Sequence, residues 1–316
     1  MNTRLTAARR ARVPATLALL STALLAACGG GGDDTPAPAG PQAVAIEFAG
    51  VAGSTPVACG TPITALGSGS VSAQLKDFRF YVSNVRLVRA DGTEAPLTLP
   101  ANDDWNLTSG TNTLTLIDLE NNTGACAGTG TAATNNTLRG TVPAGSYVGI
   151  KFTMGVPFAL NHSDYATATK PLDIQAMAWS WQAGRKFAKI EVTDPDGAAG
   201  SWVAKTFNLH LGSTGCTGNP AVGETVACAK ANRMDVSLAS FNPATQKLAV
   251  DVRAMVAGTN ITVNAAGAPG CMSGPTDPEC LRVFEALGID WKPDGSGSGL
   301  SLAGGTAQTL FRAVAK

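Results

Sequence analysis

An all-β fold, a single antiparallel β-sandwich domain with long loops, is predicted by three features of the sequence. Glycine is abundant, 36 of 316 residues, and turn dipeptides punctuate the chain. Apolar and polar residues alternate over short runs, and sustained helical periodicity is nearly absent. Beyond residue 28 an even set of cysteines offers covalent staples, so the domain is expected to be disulfide-stabilised.

The amino terminus stands outside that domain. Arg4, Arg9, Arg10 and Arg12 precede an apolar run from Pro14 to Ala27, which closes on "LAAC" at Cys28 as in a bacterial lipobox. The run is too short to span a bilayer comfortably. Residues 1–28 are expected to be a lipoprotein signal peptide with Cys28 as the lipidation site, and residues 29–42, with "GGGGDDTPAPAG", a flexible linker. Residues 43–316 then form the domain. The expected location is the periplasmic face of the outer membrane or the cell surface, with the lipid as membrane anchor.

Strands follow in order. "VAIEFAGV" (44–51) alternates as a first strand. "FRFYVSNVRLV" (78–88), Asp91-Gly92 and "APLTL" make a hairpin. "TLTLIDLE" (113–120) and "YVGIKFTMGV" (147–156) are further strands, the latter entered through the Pro-Ala-Gly turn of "LRGTVPAGSY". "AMAWSWQAGRKFAKIEV" (176–192) is expected to fold back at Asp196-Gly197 onto "SWVAKTFNLHLG" (201–212), with Phe187 facing Phe207 and His210 facing Gly184. "RMDVSLASF" and "KLAVDVRAMV" are expected as a late pair. Only "DPECLRVFEALGI" reads as helix, with Asp277 as N-cap and Pro278 at its first position.

Composition excludes some functions. Lys plus Arg equals Asp plus Glu at 23 each, and only 15% of residues are charged, which leaves no electrostatic footprint for nucleic acid. There is no G-x-S-x-G and no H-E-x-x-H. Asp103-Asp104 lacks the dense acidic loop of a calcium site and is expected to be a solvated turn. No C-x-x-C occurs, so the cysteines are expected in disulfides and not as thiolate ligands. Short spacing suggests Cys216 with Cys228 and Cys271 with Cys280, leaving Cys59 with Cys126.

Two histidines remain as candidate metal ligands, His162 in "NHSD" and His210 in "NLHLGSTGC". Two imidazoles with Asp164 could hold zinc. Two imidazoles alone suit Cu(I), which accepts low coordination numbers. Met154 and Met177 are expected in the core. The indole neighbour is open: Trp179 and Trp181 need a bulge at Gly184 to share a face with His210, whereas Trp202 has its parity directly.

The motifs "LKDFRFYVSNVRL", "LIDLENNTGAC", "GTAATNNTLRGTVPAGSYVGIKFTMGVPFALNH", "PLDIQAMAWSWQAGRKFAKIEV" and "HLGSTGC" resemble, in that order, the MbnP-like proteins, also called metallo-mystery-pair proteins with a four-cysteine motif. The resemblance implies an exported copper-handling protein, not itself an enzyme. Its partner would be a di-haem c-type cytochrome of the MbnH/MauG kind, which oxidises one tryptophan to kynurenine. Ring opening turns an indole N–H, a donor only, into an arylamine able to act as a weak ligand. Carried over by motif, His162 and His210 would be the Cu(I) ligands and Trp181, ahead of Trp179, the modified residue; Trp202 stays a candidate on parity alone. Arg185 stands where an aromatic is expected. The competing expectations are an extracellular ligand-binding or adhesion module without metal, and a zinc hydrolase using His162, His210 and Asp164.

Overall fold

The computed structural model describes residues 40–316 except residue 181. The segment expected to be a signal peptide, Cys28, most of the expected linker and Trp181 therefore lie outside the described residues.

Alternation in "VAIEF" turns Val44, Ile46 and Phe48 inward along β1 (Gln42–Ala52). After β2 (Thr55–Pro56) and β3 (Pro62–Leu66), β4 (Val71–Val88) runs 18 residues. β5 (Glu94–Pro96) returns along it, with Leu87 facing Ala95 as the Asp91-Gly92 turn requires. β6 (Asn106–Ser109), β7 (Asn112–Asp118), β8 (Thr137–Val142) and β9 (Gly149–Met154) follow. A single turn of helix, α1 (Phe158–Asn161), precedes the hairpin of β10 (Ala188–Thr193) and β11 (Thr206–Leu211). Next come β12 (Thr214–Thr217), β13 (Ala227–Lys230), β14 (Met234–Leu238), β15 (Gln246–Asp251) and α2 (Val252–Met255). The chain ends with β16 (Gly270–Cys271), α3 (Cys280–Leu287) and β17 (Phe311–Ala315).

The smaller sheet orders β17-β15-β1-β2, with β8 also on β1; the larger orders β14-β9-β4-β10-β11-β16, and β3, β5 and β7 add to β4. Phe48 and Phe311 of the first meet Phe80 and Phe152 of the second, with centroids 5.1–6.1 Å apart and edge to face. That aromatic layer is the sandwich core. Met154 and Met177 are fully buried, as expected. The sheets are mixed, since β1–β15 and β11–β16 run parallel.

The central strand β4 is buried on both faces. Phe78 and Phe80 alternate with Asp77 and Arg79, and all four are at most 1% exposed. Burying charge is tolerable only when it is paired. Asp77 takes Arg79 and Lys189, while Lys189 also reaches Glu191 at 3.0 Å.

Several expectations need correction. Residues 176–180 and 182–187 are not strand: Gln175–Met177 is a 3-10 turn, and β10 begins only at Ala188. The hairpin register also differs, because His210 faces Lys189 and Phe207 faces Val192. Its connection includes the expected turn at Asp196-Gly197, closed by Gly197 N–H to Asp194 O at 2.9 Å, but continues as a long loop that Asp194 pins by accepting from the N–H of Asp196 and Trp202. The late strands do not pair: β14 joins β9, and β15 joins β1 in the other sheet. Finally, α3 starts two residues after Pro278, with Glu279 at its N-cap, and Asp277 instead accepts from Glu279 N–H.

The disulfides are Cys59–Cys126, Cys216–Cys228 and Cys271–Cys280, the pairing expected from spacing. The last ties the start of α3 to β16.

Candidate metal centre

His162 follows α1 directly as its C-cap. Phe158, one helical turn back, lies edge-on to its ring at 5.2 Å. Neighbouring Asn161 is fully buried, and its Oδ1 accepts the Arg185 N–H at 2.8 Å. That contact fixes the amide, so Nδ2 faces His162 Nε2 at 3.2 Å. An amide N–H has only a proton to offer, so Nε2 carries the lone pair. Cys228 Sγ lies 3.6 Å from the same nitrogen.

The tryptophan segment forms a tight loop against this one. Gly184 N–H bonds Ser180 O, and Trp179 N–H bonds Gly184 O. Gly184 has φ +82°, and a Cβ there would stand 2.6 Å from the Asn161 amide. Glycine is needed on both counts. The indole of Trp179 packs against Gly212, where a Cβ would collide with Cζ3.

Arg185 locks the two loops together. Its guanidinium, 1% exposed, donates to the carbonyls of Leu172, Asn161 and Ser163 and to Ser163 Oγ, at 2.5–3.1 Å. Burial lowers its pKa from the ordinary arginine value. The expected aromatic is replaced by a buried clamp that places His162.

His210 occupies β11, two residues before Gly212. Cross-strand partners share a sheet face, so Arg79, Lys189 and His210 form one row, and Asp77, Glu191 and Asn208 the next. His210 Nε2 lies 2.7 Å from Glu191 Oε1. Burial depresses the His210 pKa, only partly offset by the hydrogen bond and charge of Glu191, and the ring is neutral. Burial would raise Glu191, but the bond from His210 and the charges of Lys189 and Lys76 bring it down to about 2. A neutral ring beside an ionised carboxylate donates through Nε2, which leaves the lone pair on Nδ1. That atom is buried and has no hydrogen-bond partner among the described residues.

A path of contacts joins the two histidines: His210 to Gly212 by sequence, Gly212 to Trp179, Trp179 to Gly184, Gly184 to Asn161, and Asn161 to His162. Trp202 sits elsewhere, in the loop before β11 at the turn end of the hairpin. Asp164 is engaged in a turn, accepting Ala166 N–H. Asp103 caps the N–H of Trp105 and Asn106, and Asp104 pairs with Lys170, as befits a surface turn. Among the described residues, three or more donors cluster only as His162/Cys216/Cys228 and Cys59/Glu120/Cys126, and every sulfur in them is in a disulfide.

A family model described as MbnP matches residues 41–273. The chain belongs to the MbnP family. Among solved structures, MbnP from Methylosinus trichosporium is similar, with 36% sequence identity, a TM-score of 0.76, and coverage of 88% of this chain and 99% of that one. No match was found among curated proteins. Membership in the MbnP family makes the chain a metallo-mystery-pair-associated protein. Three disulfides fit an extracellular or periplasmic protein, and among the described residues no helix is long and apolar enough to cross a membrane.

Sequence reading alone missed Glu191 and Asn161, and it marked Arg185 only as a departure from an expected aromatic, not as the buried clamp it forms. Glu191 had a signal, a lone acid in the apolar run "KIEV"; its pairing with His210 needs the true register.

Proposed function

We propose that this MbnP-family chain is an exported copper-binding protein, not an enzyme, that holds Cu(I) through His162 and His210. An arylamine from an oxidised tryptophan completes the set. A di-haem c-type cytochrome partner performs that oxidation, and a lipid on Cys28 tethers the protein to the membrane. Conversion of tryptophan to kynurenine removes one ring carbon and adds one oxygen. Trp181 is the first candidate by resemblance; of the described indoles, Trp179 lies between the two histidine segments.

The observation carrying this reading is the buried, unpartnered Nδ1 of His210. Metal-ligating histidines usually give their other ring N–H to a carboxylate, which fixes tautomer and orientation. Glu191 does that here, and an orphaned lone pair in a dry site is costly unless something occupies it. Copper is cargo in this account. Glu191 presets the His210 tautomer with Nδ1 left to bind, while at His162 Asn161 Nδ2 donates to Nε2 and would yield that lone pair to the metal.

The chain should be produced with its di-haem partner and titrated with Cu(I) against a chromophoric chelator. One equivalent is expected to bind, and one tryptic peptide should carry kynurenine. His162→Ala and His210→Ala should each abolish tight binding, and Glu191→Gln should weaken it roughly 10–100-fold. Unchanged affinity in both histidine variants contradicts the reading.

A further inference from the structure

The Cys216–Cys228 disulfide is built differently from the other two. It joins directly facing residues of the β12–β13 ribbon, a two-stranded sheet of its own. Both cysteines are half-exposed; of the other four, Cys126, Cys271 and Cys280 are fully buried and Cys59 is half-exposed. Cys216 borders a groove of about 290 Å³ beside Trp179 and Met272. His162 borders another of the same volume, beside Thr225 and Val226. Of the three disulfides, this is the one in which both residues are open to a small reductant.

His162 adds the second part. The donor atoms of His162, Cys216 and Cys228 all lie within 4.8 Å of one another. Around a four-coordinate ion with Zn–S about 2.3 Å and Zn–N about 2.0–2.1 Å, the N···S edge is roughly 3.6 Å. Nε2 and Cys228 Sγ stand 3.6 Å apart. Asn161 Nδ2 donates to that nitrogen, which is therefore unprotonated, and a cation would take its lone pair in place of the Asn161 hydrogen bond.

We infer that reducing the Cys216–Cys228 disulfide opens a second metal site, two thiolates and one imidazole, selective for a thiophilic cation such as Cu(I) or Zn(II). A dithiol supplies two electrons and two protons and becomes a disulfide itself; the Cys216–Cys228 bond breaks to two thiols. The cation then displaces both thiol protons to solvent. Soft thiolates select these ions over Ca(II) or Mg(II). The corner keeps its shape meanwhile, because Gln182 Nε2 donates to Gly218 O, Ser213 Oγ to Ala231 O and Asn232 Nδ2 to Gly212 O. The bound cation restores the cross-link the ribbon lost. This site shares His162 with the copper reading but does not rest on it.

The test uses the mature wild-type chain under limiting dithiothreitol, with alkylation and mass mapping to show which cysteines are free, followed by Co(II) titration. Cys216 and Cys228 are expected to be freed first. One Co(II) per chain should then give a thiolate-to-metal charge-transfer band that Zn(II) and Cu(I) each displace. Oxidised protein should show no such band, nor should reduced protein alkylated at these two cysteines, nor Cys216→Ser. His162→Gln should shift the visible Co(II) bands. Reduction of another pair first, or free Cys216 and Cys228 without the band, overturns the inference. Cu(I) binding by the oxidised chain reports on the earlier reading, so either can fail alone.

Discussion

Arg185→Met is expected to destabilise the protein by about 3–5 kcal/mol and to release the loop that carries His162. The guanidinium is buried and spends its donors on three backbone carbonyls and one hydroxyl. Each hydrogen bond from a charged donor contributes about 1.5–3 kcal/mol, and each carbonyl left dry and unpaired costs about 1–3 kcal/mol. Methionine fills similar volume, so the loss is polar and not a cavity effect. Since Arg185 N–H also orients Asn161, backbone loosening there frees the amide that sets His162. Denaturant unfolding should show the lowered midpoint, and Cu(I) affinity should fall with it. A variant as stable as wild type would show that the clamp is not what holds the loop.

Asp118→Asn is expected to stabilise the protein at pH 8 by up to roughly 4 kcal/mol while changing little at pH 4. Burial pushes the Asp118 carboxyl up to about 7, with the nearby Glu120 charge adding to the rise. Its unfolded value is near 3.8. Between those values the folded state keeps a proton that the unfolded state has lost, so stability falls as pH rises from about 4 to 7. At about 1.4 kcal/mol per pH unit, that interval gives the magnitude above. Glu191 acts in the other sense: held at about 2, it stabilises above the ordinary glutamate range and loses that as pH falls. His210, depressed by burial, likewise favours the fold at higher pH and loses its contribution as acid protonates the unfolded chain. The difference between wild type and Asp118→Asn isolates the one group. Parallel stability profiles from pH 4 to 8 would contradict it.

Much of the fold was legible because alternation and turn chemistry act locally. β1, the β4–β5 hairpin, β7 and β9 all follow from period-two runs bounded by Gly, Pro or Asp. Disulfide pairing followed from short spacings. What failed depended on distant partners. "AMAWSWQAG" has β-forming residues, yet Gly184 at positive φ and Arg185, committed to carbonyls on another loop, fold it away from the sheet. The hairpin register slipped because Asp194 organises a long loop and Lys205 turns at φ +61°. Nothing local marks β14 and β15 for different sheets. His162 and His210 were visible by their rarity; that Asn161 and Glu191 set their tautomers was not, because both contacts need the folded register.

X-ray absorption at the copper edge of the Cu(I)-loaded, oxidised chain tests the central claim most directly. Imidazole scattering from two histidines with a further light-atom ligand and no sulfur is the expected result, lost in His210→Ala. A spectrum dominated by sulfur, or unchanged in that variant, would contradict the assignment of copper to His162 and His210.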